Sequence, residues 1–140
     1  MRPPDEVKVE HVRQWLAKAE EDFGVARLLF HEDTPYLATV GFHAQQAAEK
    51  YLKAFLVWRQ VEFPKTHDLD KLLALVPGRE NALVDSLGDI SVLTDYGVDF
   101  RYPGDQREIS RSEARMAVEL AEKVREAILE FLPDHLKPTS

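Results

Sequence analysis

The sequence has no cysteine, so neither a disulfide framework nor a thiolate zinc site is open to it. Glycine is scarce, six in 140 residues. None of it gathers into a loop ahead of a helix, which excludes the P-loop and dinucleotide-type phosphate cradles. No run approaches the roughly 18 apolar residues that span a bilayer. The opening MRPPDEVKVE lacks the apolar centre of a signal peptide. A basic surplus is missing as well. The formal net charge is -7, which argues against general affinity for nucleic-acid backbones while leaving room for a local basic site. No two histidines share a helix face at zinc-binding spacing, and the acidic residues scatter as on a solvated surface. The expectation is a cytoplasmic protein away from membranes, without metal or cofactor.

What is present reads as one globular domain over 1–140, with a core from about 9 to 132. Hydrophobic residues make up 44% and charged residues 31%, the balance of a domain with a sizeable interior. Val12, Leu16, Ala19, Phe23, Ala26 and Phe30 recur at steps of three and four, the stripe of a long amphipathic helix. HEDTP interrupts it, with Thr34 placed to cap a second helix and Pro35 at its first position. That helix is predicted from about Pro35 to about Gln60 and ended by VEFPKTHD, where Pro64 breaks the ladder. LDKLLALV forms a short third helix. RENALVDSLGDISVLTDY forms a fourth on Leu83, Leu87, Ile90 and Thr94, weakened by Gly88. GVDFRYPGDQREI is a loop, and SRSE opens the last helix with Ser110 and Glu113 as a capping box. Ala117, Leu120, Val124, Ala127 and Phe131 carry its stripe as far as Pro133. Period-two alternation is absent, so the fold class is all-α: an up-and-down bundle of four to five helices.

On a helical wheel, Leu37, Val40, Gly41, Ala44, Ala47, Ala48, Tyr51, Phe55 and Trp58 share one face of the second helix, the core side. The opposite side mixes Phe42, Gln46, Glu49, Lys53, Leu56 and Val57. Either another helix of the same chain covers it, or a second copy does, with Phe42, Gln46, Leu56 and Val57 as the dimer contacts. His43 and Lys50 lie side by side at the border.

GFHAQQAAEKYLKAFL, followed by THDLDKLL and later DFRYP, resembles the HEPN family (higher eukaryotes and prokaryotes nucleotide-binding) from about Val9 to Phe131. The first block is the most specific, an ordered set of aromatic, His, Gln-Gln, Ala-Ala, Glu-Lys and Leu-Lys. The resemblance implies a helical bundle that forms homodimers. It also implies association with nucleotidyltransferase partners or RNA, in toxin–antitoxin or defence systems. HEPN ribonucleases carry an Arg followed a few residues later by a His, a pair suited to stabilising phosphate charge and moving a proton near neutral pH. This sequence departs from that pattern. The positions that follow Arg101 hold Gln106, Arg107 and Glu108, and those after Arg107 hold Ser112, Glu113 and Ala114. Met116, Ala117 and Val118 follow Arg111, and no histidine stands between His67 and His135. Tyr102 directly follows Arg101, so it is not the tyrosine that trails the histidine in toxins modified by their nucleotidyltransferase.

Three functions remain open. The first is a non-catalytic interaction module working with a nucleotidyltransferase. The second is a divergent ribonuclease with Arg101 and a substitute base, His67, activated by Asp68 or Asp70; the competing reading makes His67 a fixed residue at the entry to a short helix. The third is a nucleotide sensor. Candidate contacts to nucleotide or RNA are Arg101, Tyr102, Arg107, Arg111, Lys50 and Lys53. For the arginines near the last helix start, phosphate binding competes with ordinary ion pairing.

Overall fold

The computed structural model describes residues 4–97 and 108–138, and every regular element among them is helical. Five α-helices appear in order: α1 (Pro4–His31), α2 (Leu37–Trp58), α3 (Leu69–Ala74), α4 (Asn81–Ser86) and α5 (Arg111–Glu130). Short 3-10 segments occupy Gly78–Glu80, Ile90–Gly97 and Asp134–Leu136. α2 lies at the centre, packed on one side by α1 and on another by α5, while α3 and the Ile90–Gly97 segment close a further side. Contacts of Lys8 with Trp58, Trp15 with Lys53 and Asp22 with His43 show α1 and α2 running antiparallel. Gly41 near Ile109 and Phe55 near Phe131 show α5 running in the sense of α2. The return leg between them is made of short pieces.

Local chemistry explains most boundaries. Ser110 accepts from the Glu113 amide at 3.0 Å and Glu113 accepts from the Ser110 amide at 3.1 Å, so the capping box forms as the sequence predicts. Asp68 caps α3 by accepting from the amides of Asp70 and Lys71. The predicted α1 stripe is buried from Val12 to Ala26, with Phe30 partly buried at its end.

Three expectations need correction. Thr34 does not cap α2; its hydroxyl donates to Leu29 O at 2.9 Å and so closes α1, leaving Tyr36 at the N-cap without a side-chain bond. α2 ends at Trp58, close to the expected Gln60, but Pro64 is not what ends it: Gln60 turns left-handed at φ 58. The amides of Val61 and Gln60 then bond Leu56 O and Val57 O at 2.9 and 3.0 Å, the paired bonds of a Schellman end. The fourth helix is not continuous. It breaks after Ser86, whose hydroxyl bonds Leu83 O, and resumes past Gly88 as 3-10. A residue that competes for the backbone and a glycine adjoin there, yet Leu83, Leu87, Ile90 and Leu93 all remain buried.

Candidate functional site

The family-like block lies along α2, and its polar residues build two carboxylate centres. Helical spacing puts Gln45, Glu49 and Lys53 in one row, four residues apart. Glu49 is 3% exposed and collects three donors. Lys53 Nζ reaches one oxygen at 2.9 Å, while His67 Nδ1 and Gln45 Nε2 reach the other at 2.7 and 3.2 Å. Gln45 also donates to His67 O at 3.1 Å and receives Gln46 Nε2 at 2.8 Å. Lys53 lies over the rings of Trp15 and Phe63, 5.4 and 5.8 Å from their centroids. An ammonium so held is screened from solvent by aromatic faces. The His67 ring itself stands outward, its side chain 72% exposed. Since a carboxylate only accepts, Nδ1 carries the proton and Nε2 points away from the pair.

The second centre is Asp22 of α1. It receives His43 Nδ1 at 2.8 Å and Lys50 Nζ through its other oxygen. His43 and Lys50 are neighbours at the helix border as the wheel predicts, and what joins them is a carboxylate from another helix.

A third carboxylate, Glu20 of α1, bridges all three long helices. Tyr51 Oη of α2 donates to it, and Arg125 of α5 forks it with Nε at 2.7 Å and Nη2 at 2.9 Å. Burial opposes ionisation of Glu20, but hydrogen bonds from Arg125 and Tyr51 outweigh it and hold the carboxyl below its ordinary 4.5. Burial, followed by the bond to Glu20, pushes the Tyr51 phenol well above its usual range. The bond to Glu20 likewise raises Arg125, against the opposing effect of burial. This bridge keeps Tyr51 neutral and Glu20 charged, a structural arrangement.

The residues singled out from sequence scatter rather than converge. Arg101, Tyr102 and Arg107 lie outside the described residues. Lys53, expected to be available to nucleotide, is instead 7% exposed and held by Glu49. Lys50 is engaged by Asp22. Arg111 pairs with Asp33 at 2.8 Å and donates to Thr34 O at 3.2 Å, tying the start of α5 to the α1–α2 turn. His67 takes its carboxylate from Glu49, not from Asp68 or Asp70; Asp68 is occupied with the α3 cap. Leu56 is a further correction. At 0% exposure it belongs to the chain's own core, so Leu56→Arg reports on folding rather than on assembly. Phe42, Gln46 and Val57 are partly buried. Phe42 sets its ring edge-on to His43, Gln46 bonds Gln45, and Val57 lines a shallow groove with His11 and Phe63. Sequence reading missed the Glu20–Tyr51–Arg125 bridge, whose members are too far apart along the chain to signal one another. No group of three or more His, Cys, Asp or Glu side chains suited to a metal ion occurs among the described residues.

Comparison with known proteins bears on these observations. The chain matches no curated protein. Among solved structures, TT1696 from Thermus thermophilus superposes with a TM-score of 0.71 at 29% identity, over 86% of this chain and 98% of that one. An archaeal HEPN homologue, ST0689, superposes with a TM-score of 0.63 at 20% identity, over 90% and 98%. The second likeness is one of fold. The profile of the HEPN domain matches residues 12–132, the span that holds α2, its carboxylate centres and α5, and the chain therefore belongs to the HEPN domain family.

Proposed function

We propose that the chain is a non-catalytic HEPN interaction module, acting as a homodimer with a separately encoded nucleotidyltransferase in a toxin–antitoxin-like or defence pair. One observation carries this reading. The described cations singled out for nucleotide contact are each paired with a carboxylate of this chain, Lys53 with Glu49, Lys50 with Asp22 and Arg111 with Asp33, and His67 and His43 hydrogen-bond Glu49 and Asp22 through Nδ1. A cation already paired with a carboxylate offers a phosphate little net charge. Copurification of the chain with a nucleotidyltransferase from the native host tests the proposal, and light scattering reads the dimer. Failure of any nucleotidyltransferase to copurify removes the partner.

A second reading, a divergent ribonuclease, has one observation in its favour. Glu49 fixes Nδ1 of His67 and leaves Nε2 towards solvent, the orientation a proton-transferring imidazole needs. Metal-free cleavage of total RNA that disappears in both His67→Ala and Glu49→Gln would establish it and displace the first reading.

A further inference from the structure

α1 and α5 each pack extensively on α2 and much less on one another. The seam they leave holds a cleft of about 530 Å3 whose described lining comes from these two helices alone. Its floor is Phe23, 5% exposed, beside Gly24, where an added Cβ would meet nothing within 4 Å. The guanidiniums of Arg27 and Arg125 lie over the Phe23 ring, 5.7 and 5.9 Å from its centroid. Leu28, 59% exposed, and His31 complete the α1 side. The cleft's carboxylate, Glu20, is engaged by Arg125 and Tyr51. Arg27 and His31, four residues apart on one helix face, have no carboxylate partner among the described residues.

Resting on the interaction-module reading, we infer that this cleft docks an acidic amphipathic helix of a partner protein. Charge complementarity points that way: the Arg27 guanidinium lines the cleft with no carboxylate partner among the described residues. Exposed Leu28 and the open space over Gly24 call for apolar side chains between the carboxylates. A sugar–phosphate backbone has none to offer. From Glu20 to His31 the cleft runs about 16 Å at 1.5 Å per residue, or about three helical turns. A helix of that length would sit between α1 and α5, with a glutamate meeting Arg27, a hydrogen-bonding side chain one turn on against His31, and a leucine against Leu28. It would supply a fourth long helix to the bundle formed by α1, α2 and α5, the helix-in-groove mode of recognition.

The probe is a synthetic three-turn peptide with glutamate and leucine on one face and alanine on the other. Anisotropy with the full chain should show saturable binding, weakened tenfold or more by Arg27→Glu and by Gly24→Trp, and absent when lysine replaces glutamate. Circular dichroism establishes that both variants fold. Absence of binding, or binding indifferent to both substitutions, overturns the inference. So does oligouridylate binding lost in Arg27→Glu, which would make the cleft a nucleic-acid site. A dimer converted to monomer by Gly24→Trp would place a second copy there and also overturn it. The two proposals fail separately. A nucleotidyltransferase that copurifies equally with wild type and Gly24→Trp leaves the module reading intact and removes this face. Peptide binding without any copurifying nucleotidyltransferase does the reverse.

Discussion

Glu49 and Glu20 are both carboxylates bound by a cation and by further hydrogen-bond donors, but they lie at different depths. The Glu49 side chain is 4% exposed and its lysine 8%, whereas Glu20 and its arginine are 26% and 25% exposed. Depth changes what each pair does. At Glu49 desolvation is nearly complete, so the cluster of Lys53, Gln45 and His67 is needed to keep the charge tolerable inside the fold. At Glu20 water still screens the pair, and its role is to join α1, α2 and α5 by one carboxylate. The same chemistry acts as a buried anchor in one place and as a rim clasp in the other.

The sharpest way to break the comparison is Lys53→Met. Removing one partner of a buried pair strands the other, and we expect a stability loss of about 3 kcal/mol in urea denaturation. Methionine keeps apolar contact with Trp15 and Phe63, so the loss reports on charge rather than volume. Adding Glu49→Leu should restore part of it, because neither charge then remains buried. A single-variant loss below about 1 kcal/mol would put Glu49 in the same class as a surface pair.

Arg125→Met should cost less, roughly 1 kcal/mol, since Glu20 keeps water and the Tyr51 hydroxyl. The Glu20 centre also carries a pH dependence. Glu20 has a folded pKa below its ordinary 4.5. Its stabilisation is therefore fully present above 4.5, declines as pH falls below it and is gone once pH passes the folded value. In Arg125→Met the larger cause of the depression is removed and the Tyr51 bond remains, so thermal stability followed below 4.5 should fall less steeply than in wild type. An unchanged slope would assign the acid sensitivity to another carboxylate.

His67→Ala tests the outer edge of the buried centre. The ring is exposed, and Glu49 keeps Lys53 and Gln45, so one hydrogen bond is lost, about 0.5–1 kcal/mol. A loss as large as that of Lys53→Met would mean that the imidazole carries part of the buried charge balance.

Features decided by neighbours along the chain were legible in the sequence. The Ser110–Glu113 box, the α1 stripe and the core face of α2 each follow from local spacing, and each is found. The depth of Glu49 was not. A glutamate and lysine four apart read as a weak surface pair, and only Trp15 from α1 and Phe63 and His67 from the following loop turn them into interior residues. Leu56 was left between cover from its own chain and a dimer contact for the same reason, and its full burial decides for its own chain. The helix ends at HEDTP and near Gln60 were legible, but not the left-handed turns of Asp33 and Gln60 that make them, because such φ is usually announced by glycine or asparagine. For the site, spacing gave the neighbours His43 and Lys50 but not Asp22, which α1 supplies from across the helix pair.

The smallest effect separates the two regions by space instead of charge. Near the buried face of α2, a Cβ added at Gly41 would come within 3.2 Å of Ile109 and Tyr96, so that side is closed. At Gly24, in the seam beside Glu20, an added Cβ meets nothing within 4 Å. Gly24→Ala should therefore show helix propensity without a packing cost. Alanine loses less conformational freedom than glycine in a helix interior, and the expected gain is about 0.5–1 kcal/mol, a rise in the urea midpoint at unchanged slope. A loss would mean that the seam is already filled in solution, either by a second copy or by side chains that close over Phe23. Repeating the measurement across protein concentration decides between those two, because only association makes the midpoint depend on concentration.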